Sequence, residues 1–202
     1  MSIPIPQDYE QARSFDGSTA PELTVGGHIC RIRNAYMAKT KSGKDQLVIE
    51  FDIAEGGEFD GYYQNRFTNA QKYSSNAKWG GVFRSVLLTN EGKTNGFFKG
   101  LIEAIEESNV GYDFRKSGGD ERAMIGKLVG FNFGEEEYEG YDGNIRTIVK
   151  PSYAVSAARV HEGVIPPAKK LLEKNKQQPQ AQQAQGYPAG YTEVENNDEL
   201  PF

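Results

Sequence analysis

Apolar and polar positions alternate most cleanly over residues 47–53, where Leu47, Ile49, Phe51 and Ile53 share one face and Val48, Glu50 and Asp52 the other. A period of two is that of a strand with one side on a core. The run from Gly26 to Ala38, carrying Ile, Arg, Tyr and Met, reads as a long strand before it. Lys39-Thr40-Lys41-Ser42-Gly43-Lys44 is then the basic turn that joins the two into a hairpin. Gly56-Gly57 and Asp60-Gly61 mark the next turn, after which Tyr62 to Thr68 is expected to form a third strand. Further on the period changes. Phe97, Phe98, Leu101, Ile102 and Ile105 recur at helical spacing, with Glu103, Glu106 and Glu107 on the opposite side. Val82, Phe83, Val86 and Leu87 give a weaker helical pattern ahead of it. Lys127 to Phe133 and Ile145 to Val155 read as the fourth and fifth strands, with tight-turn chemistry at Asp142-Gly143-Asn144 between them.

The predicted class is therefore mainly β with inserted helices. Five strands with a helical insertion between strands 3 and 4 follow the order of an OB-fold, a five-stranded Greek-key barrel used widely on oligonucleotides. Residues 1–23 read as an irregular arm and 24–172 as the folded domain, with a short basic helix expected over Ala168 to Lys176. Six of the nine residues from Gln177 to Gln185 are Gln, so 173–194 reads as a disordered linker rich in Gln, Pro and Gly, with 195–202 as an acidic tip.

Charge sharpens this division. The chain of 202 residues has 23 Lys and Arg against 28 Asp and Glu, a formal net charge of -5. Four of those acids (Glu193, Glu195, Asp198, Glu199) fall in residues 177–202, which hold no Lys or Arg, so the rest is nearly neutral at 23 against 24. A neutral body can carry a basic face, and the overall acidity does not exclude a polyanionic partner. Without a signal-peptide layout or a run of about 18 apolar residues, a cytoplasmic location is expected.

Enzyme chemistry finds little support. Cys30 is the only cysteine and reads as a small core residue; His28 and His161 lack zinc-motif spacing and read as structural. Gly92-Lys93-Thr94 mimics the end of a phosphate-binding loop, but Leu87 stands where that motif needs its first glycine. Glu135, Glu136, Glu137 and Glu139 read as a solvated hairpin, because adjacent strand residues point to alternate faces. A metal-dependent nuclease centre drawing on Glu50 and Asp52 is the least favoured reading, and no cofactor or metal is expected.

The informative pattern is the interleaving of cations and rings. Arg31, Arg33, Lys39, Lys41, Lys44, Arg66 and Lys72 are the candidate phosphate contacts, and Tyr36, Tyr62, Tyr63, Tyr73 and Trp79 the candidate stacking faces. Unpaired strands need this mixture, with cations for the backbone and flat rings for the bases. The competing reading is that strand aromatics are ordinary packing.

Asp198-Glu199-Leu200-Pro201-Phe202 resembles the acidic C-terminal tip of bacterial single-stranded DNA-binding proteins, a family that joins an OB-fold to a Gln-, Gly- and Pro-rich linker. The body is more similar to a phage or prophage version, over residues 97–109 (Phe97-Phe98-Lys99-Gly100-Leu101 through Asn109), 126–130 (Gly126-Lys127-Leu128-Val129-Gly130) and 134–138 (Gly134-Glu135-Glu136-Glu137-Tyr138). Leu200 stands where the bacterial tip usually has Ile, and Asn197 interrupts its acidic run. The resemblance implies a protein that coats single-stranded DNA without reading sequence and recruits replication, recombination and repair partners through the tip. A homo-oligomer is compatible with it. Its rivals are a strand-annealing recombination protein and a protein-binding adaptor.

Overall fold

A computed structural model describes residues 22–54 and 57–173 of the chain. The arm before residue 22, the Gln-rich linker and the acidic tip, including Asp198, Glu199, Leu200, Pro201 and Phe202, lie outside the described residues. The elements in order are β1 (Gly26–Lys39), β2 (Asp45–Ile53), α1 (Tyr62–Gln71), β3 (Val82–Val86), α2 (Gly96–Ser108), a 3-10 turn (Glu121–Met124), β4 (Leu128–Glu139), β5 (Ile145–Val155) and α3 (Ala157–Glu162). All five strands join one antiparallel sheet in the order β3-β2-β1-β4-β5. Among the described residues no helix is long and apolar enough to cross a membrane.

The β1–β2 hairpin, α2, β5 and the turn at Gly143 lie where the patterning places them, whereas β4 continues past the expected end at Phe133 to Glu139. Two expectations exchange identity. Tyr62–Thr68 is helical, and the third strand is Val82–Val86. Tyr, Phe and Thr favour strands, but Gly61 turns left-handed (φ 67°) and the Asp52 carboxylate accepts from the backbone N–H groups of Tyr63 and Gln64. A tertiary cap thus starts a helix that local propensity disfavours. Side-chain bonds at i, i+4 follow, from Arg66 to the Tyr62 hydroxyl and from Gln64 to Thr68. Val82–Val86 is too short to display a period of its own. Pairing with β2 makes it a strand, with Phe83 and Ser85 inward and Arg84 outward.

The barrel is not closed. β3 and β5 are the two ends of the sheet, and α2, not a hydrogen-bonded ladder, lies against both of them. Asn95 caps α2 by accepting from the Phe97 N–H, and Leu101, Ile102, Ala104 and Ile105 bury its apolar side. That side meets Ile32, Ile49, Phe51, Phe83, Val129, Phe131 and Phe133 of the sheet in a single core. Cys30 is wholly buried there, and burial first, then the Asp52 charge, pushes its thiol up.

The opposite face of the sheet is divided into two halves. Over β4 and the start of β1 it is covered by α3 and by the chain that follows it. Glycine permits this cover: a Cβ at Gly130 would stand 2.5 Å from Val160, one at Gly27 2.7 Å from Val164, and one at Gly134 2.5 Å from Pro167. The expected helix from Ala168 is instead extended through Leu172, because β4 outruns β1 and its backbone needs partners. Lys170 supplies them, donating its N–H to the Glu135 carbonyl and accepting from the Glu137 N–H. Lys169, Lys170 and Lys150 pair with the Glu135–Glu137 carboxylates. Among the described residues the other half of this face, over β1, β2 and β3, meets the start of α1 at Asp52 and carries no such cover beyond it.

Candidate nucleic-acid interface

The open half is built in rows by the strand register. Tyr36, Val48 and Arg84 stand abreast, as do Asn34, Glu50 and Val82 in the next row. Tyr36 and Arg84 are exposed, whereas Val48 between them is almost completely covered, so the two long side chains shelter an apolar floor. Glu50 accepts from the Tyr36 hydroxyl (3.4 Å) and from the Asn34 amide (3.3 Å), which holds the ring over the sheet.

A bulge between Ile32 and Asn34 sets Arg33 apart from the regular alternation. Its guanidinium lies 5.7 Å from the Trp79 ring centroid and donates to the Gln64 amide oxygen at 3.1 Å. Trp79 is half-buried, its indole N–H shared between the Phe51 and Gly81 carbonyls and its ring edge-on to Phe67. Trp79 is therefore an anchored bracket for Arg33, with part of its ring left to solvent. Arg31, two residues earlier in β1, donates to the Gly126 carbonyl.

Lys39, Lys41 and Lys44 rim the turn at the far end of the hairpin, exposed to water. Lys39 pairs with Asp45 at 2.6 Å, and Lys44 reaches the Asn90 side chain. Both the ion pair and the hydrogen bond are at the surface, where water competes for their partners.

Helix α1 supplies the other candidates. Tyr62 is half-buried, packed on the core with Arg66 over its ring at 5.4 Å. Tyr63 is 8% exposed and meets Phe51 edge-on, so it offers no face to a base and is a core residue. The pairing Tyr62-Tyr63 hides this in the sequence, since on a helix adjacent residues point about 100° apart and only one of them can face the core. Lys72 caps α1 at its C-terminal end, and Tyr73 follows it, 90% exposed. A ten-residue helix is about 15 Å long, so both stand that far from the capped end beside Gln64.

Arg84 and Gln64 were not singled out by the sequence reading. Neither has a local signal: β3 is too short to display a period, and only its ladder with β2 turns Arg84 outward. Glu50 and Asp52 are committed to other work, Glu50 to Tyr36 and Asn34, Asp52 to the start of α1. His28 lies edge-on between Phe59 and Phe133, a structural placement.

Burial, with Cys30 as the second cause, pushes the Tyr63 hydroxyl well above the usual phenol range. A raised folded-state value means the proton is held more tightly in the native state. Its contribution is complete below a pH of about 10 and is lost as pH rises toward the folded value. Melting temperature measured from about pH 9 to 11 should therefore fall more steeply for the natural chain than for Tyr63→Phe. Cys30 and Tyr112, both raised chiefly by burial, account for the decline that remains in the variant; parallel curves would remove Tyr63 from the effect.

Neither a protein-family model nor a curated protein sequence matches this chain.

Proposed function

We propose that the chain is a sequence-independent single-stranded DNA-binding protein that coats and protects DNA during replication and recombination, similar to phage and prophage proteins of that kind. The observation that carries this reading is the open half-face, where exposed Tyr36 and Arg84 flank an apolar floor and Arg33, Arg31 and the lysine turn extend the positive rim. Rings for bases beside cations for phosphates suit a strand laid along a surface. We read the strand order as that of an OB-fold left open between β3 and β5, a fold whose β2–β3 face and β1–β2 loop bind oligonucleotides. The acidic tip, Asp198 to Phe202, is proposed to recruit partner proteins, with Phe202 as an aromatic anchor and Asp198 and Glu199 steering it to a basic pocket.

The test is titration of fluorescent oligonucleotides, single- and double-stranded, with magnesium present. Preferential single-strand binding without degradation is expected, and its absence would end this reading. Acceleration of pairing between complementary strands, without a stable single-strand complex, would transfer it to the annealing class. Affinity should fall steeply with salt, because each phosphate contact on a single strand contributes about -0.7 to the slope of log K against log salt. Changing Lys39, Lys41 and Lys44 together to Ala should make that slope shallower by roughly 2, with melting temperature unchanged. An unaltered slope would take the turn off the backbone path.

A further inference from the structure

The turn at the end of the β1–β2 hairpin has a near-duplicate. Thr40-Lys41-Ser42-Gly43-Lys44 and Thr89-Asn90-Glu91-Gly92-Lys93 share the pattern Thr-X-X-Gly-Lys. Their backbones close in the same way: Thr40 N–H to the Lys44 carbonyl and Thr89 N–H to the Lys93 carbonyl, both 2.8 Å, with Gly43 N–H to the Thr40 carbonyl (2.9 Å) and Gly92 N–H to the Thr89 carbonyl (3.1 Å). In each, the threonine hydroxyl accepts from the lysine N–H, at 3.0 Å and 3.3 Å, and the glycine has positive φ, 84° and 75°.

A third turn of this shape separates what the geometry requires from what it does not. Gly140-Tyr141-Asp142-Gly143-Asn144 makes the same two backbone bonds, each 2.9 Å, with Gly143 at φ 75°. It keeps the left-handed glycine but has no threonine and no lysine. The glycine is thus demanded by the turn, whereas the lysine repeated at 44 and 93 is not.

The two lysine turns face each other. Lys44 Nζ contacts Asn90 Oδ1, and a cleft of about 350 Å³ lies between the turns, its lining including Gly43, Lys44, Thr89, Asn90, Gly92 and Asp45, whose carboxylate is paired with Lys39. It opens beyond the Tyr36–Val48–Arg84 row, where β1 and β2 end and β3 runs into the 87–94 segment. Lys93 pairs with Glu91 at 2.7 Å, but both side chains are more than 70% exposed, so water screens the pair and a phosphate can take its place.

We propose that the Thr89–Lys93 turn is the second jaw of the DNA interface: a phosphodiester backbone leaving the Tyr36–Arg84 row passes between the two turns, with Lys41 and Lys44 on one side and Lys93 on the other. The proposal rests on the single-stranded DNA reading and adds to it a segment that the β1–β2–β3 face does not contain.

The experiment is anisotropy of labelled oligothymidylate with the full chain across a salt series. Lys93→Ala should bind more weakly and reduce the salt slope by about 0.7, the value of one phosphate contact. Glu91→Gln should bind more tightly, since it removes the carboxylate that competes with phosphate for Lys93. Asn90→Asp, which sets a carboxylate against Lys44, should bind more weakly. Lys99→Ala changes the charge by the same amount on α2, across the core from this face, and should leave the slope unaltered. Melting temperatures should match the natural chain throughout. If Arg84→Ala weakens binding while Lys93→Ala leaves both slope and affinity unchanged, the jaw is wrong and the DNA reading survives. A slope change for Lys99→Ala equal to that for Lys93→Ala would also overturn it, as a general charge effect. A natural chain that does not bind the oligonucleotide removes both.

Discussion

Asp52→Ala should lower stability by about 3 kcal/mol or more and weaken single-strand binding at the same time. Asp52 is 5% exposed, and its carboxylate accepts three backbone N–H groups, from Ile53 and Tyr63 at 2.9 Å and Gln64 at 3.1 Å. Gly61, the residue at the helix N-cap, has no side chain to do this. Hydrogen bonds to a charged group contribute roughly 1.5–3 kcal/mol each and do not add fully, while a buried donor left unmade costs about 1–3 kcal/mol. In a domain of this size 3 kcal/mol corresponds to a fall in melting temperature of roughly 6–12 °C. The effect on binding follows from position, since α1 carries Gln64, which holds Arg33 on the open face. Asp52→Asn keeps an acceptor but turns an amide N–H toward a backbone N–H, so it should fall between the two. Thermal unfolding and oligonucleotide anisotropy on the same samples check both parts. An Asp52→Ala melting temperature within about 1 °C of the natural chain would show that α1 is started by something else.

The largest effect on binding alone should come from Tyr36 and Arg84. Loss of one base stack costs roughly 1–3 kcal/mol, which is about 5- to 150-fold in affinity. Tyr36→Leu keeps a cover over Val48 while removing the flat ring, so it isolates stacking from packing. Tyr36→Phe keeps the ring, loses only the bond to Glu50, and should bind almost normally. Arg84→Ala should weaken binding and reduce the salt slope by about 0.7. Because the two residues flank Val48, the double variant should differ from the sum of the singles by about 0.5 kcal/mol or more. Both side chains are exposed, and the melting temperatures should stay close to that of the natural chain. Normal affinity for Tyr36→Leu would dismiss the ring; a normal salt slope for Arg84→Ala would dismiss the cation.

The elements legible from the sequence are those whose signal is local and repeated. β2 alternates over seven residues, α2 shows four buried positions at helical spacing, and the turn at Asp142-Gly143-Asn144 needs a left-handed glycine whatever surrounds it. The candidate cations of the hairpin turn were legible for the same reason, since a basic loop between two strands cannot be buried. Cys30 was legible as a core residue from its type, a lone cysteine behaving as a small hydrophobe.

What only the tertiary structure decided depends on partners distant in the chain. Tyr62–Gln71 is a helix because Asp52, ten residues before it, supplies the cap; Val82–Val86 is a strand because β2 offers it a ladder. The sheet stays open because α2 lies against both β3 and β5, a choice no single segment encodes. Which aromatic rings remain available was decided in the same way. Tyr36 and Tyr63 are the same residue type in similarly polar surroundings, yet one lies outward across from Val48 and the other inward against Phe51, because strand register and helix rotation, set by long-range contacts, determine which way a side chain points.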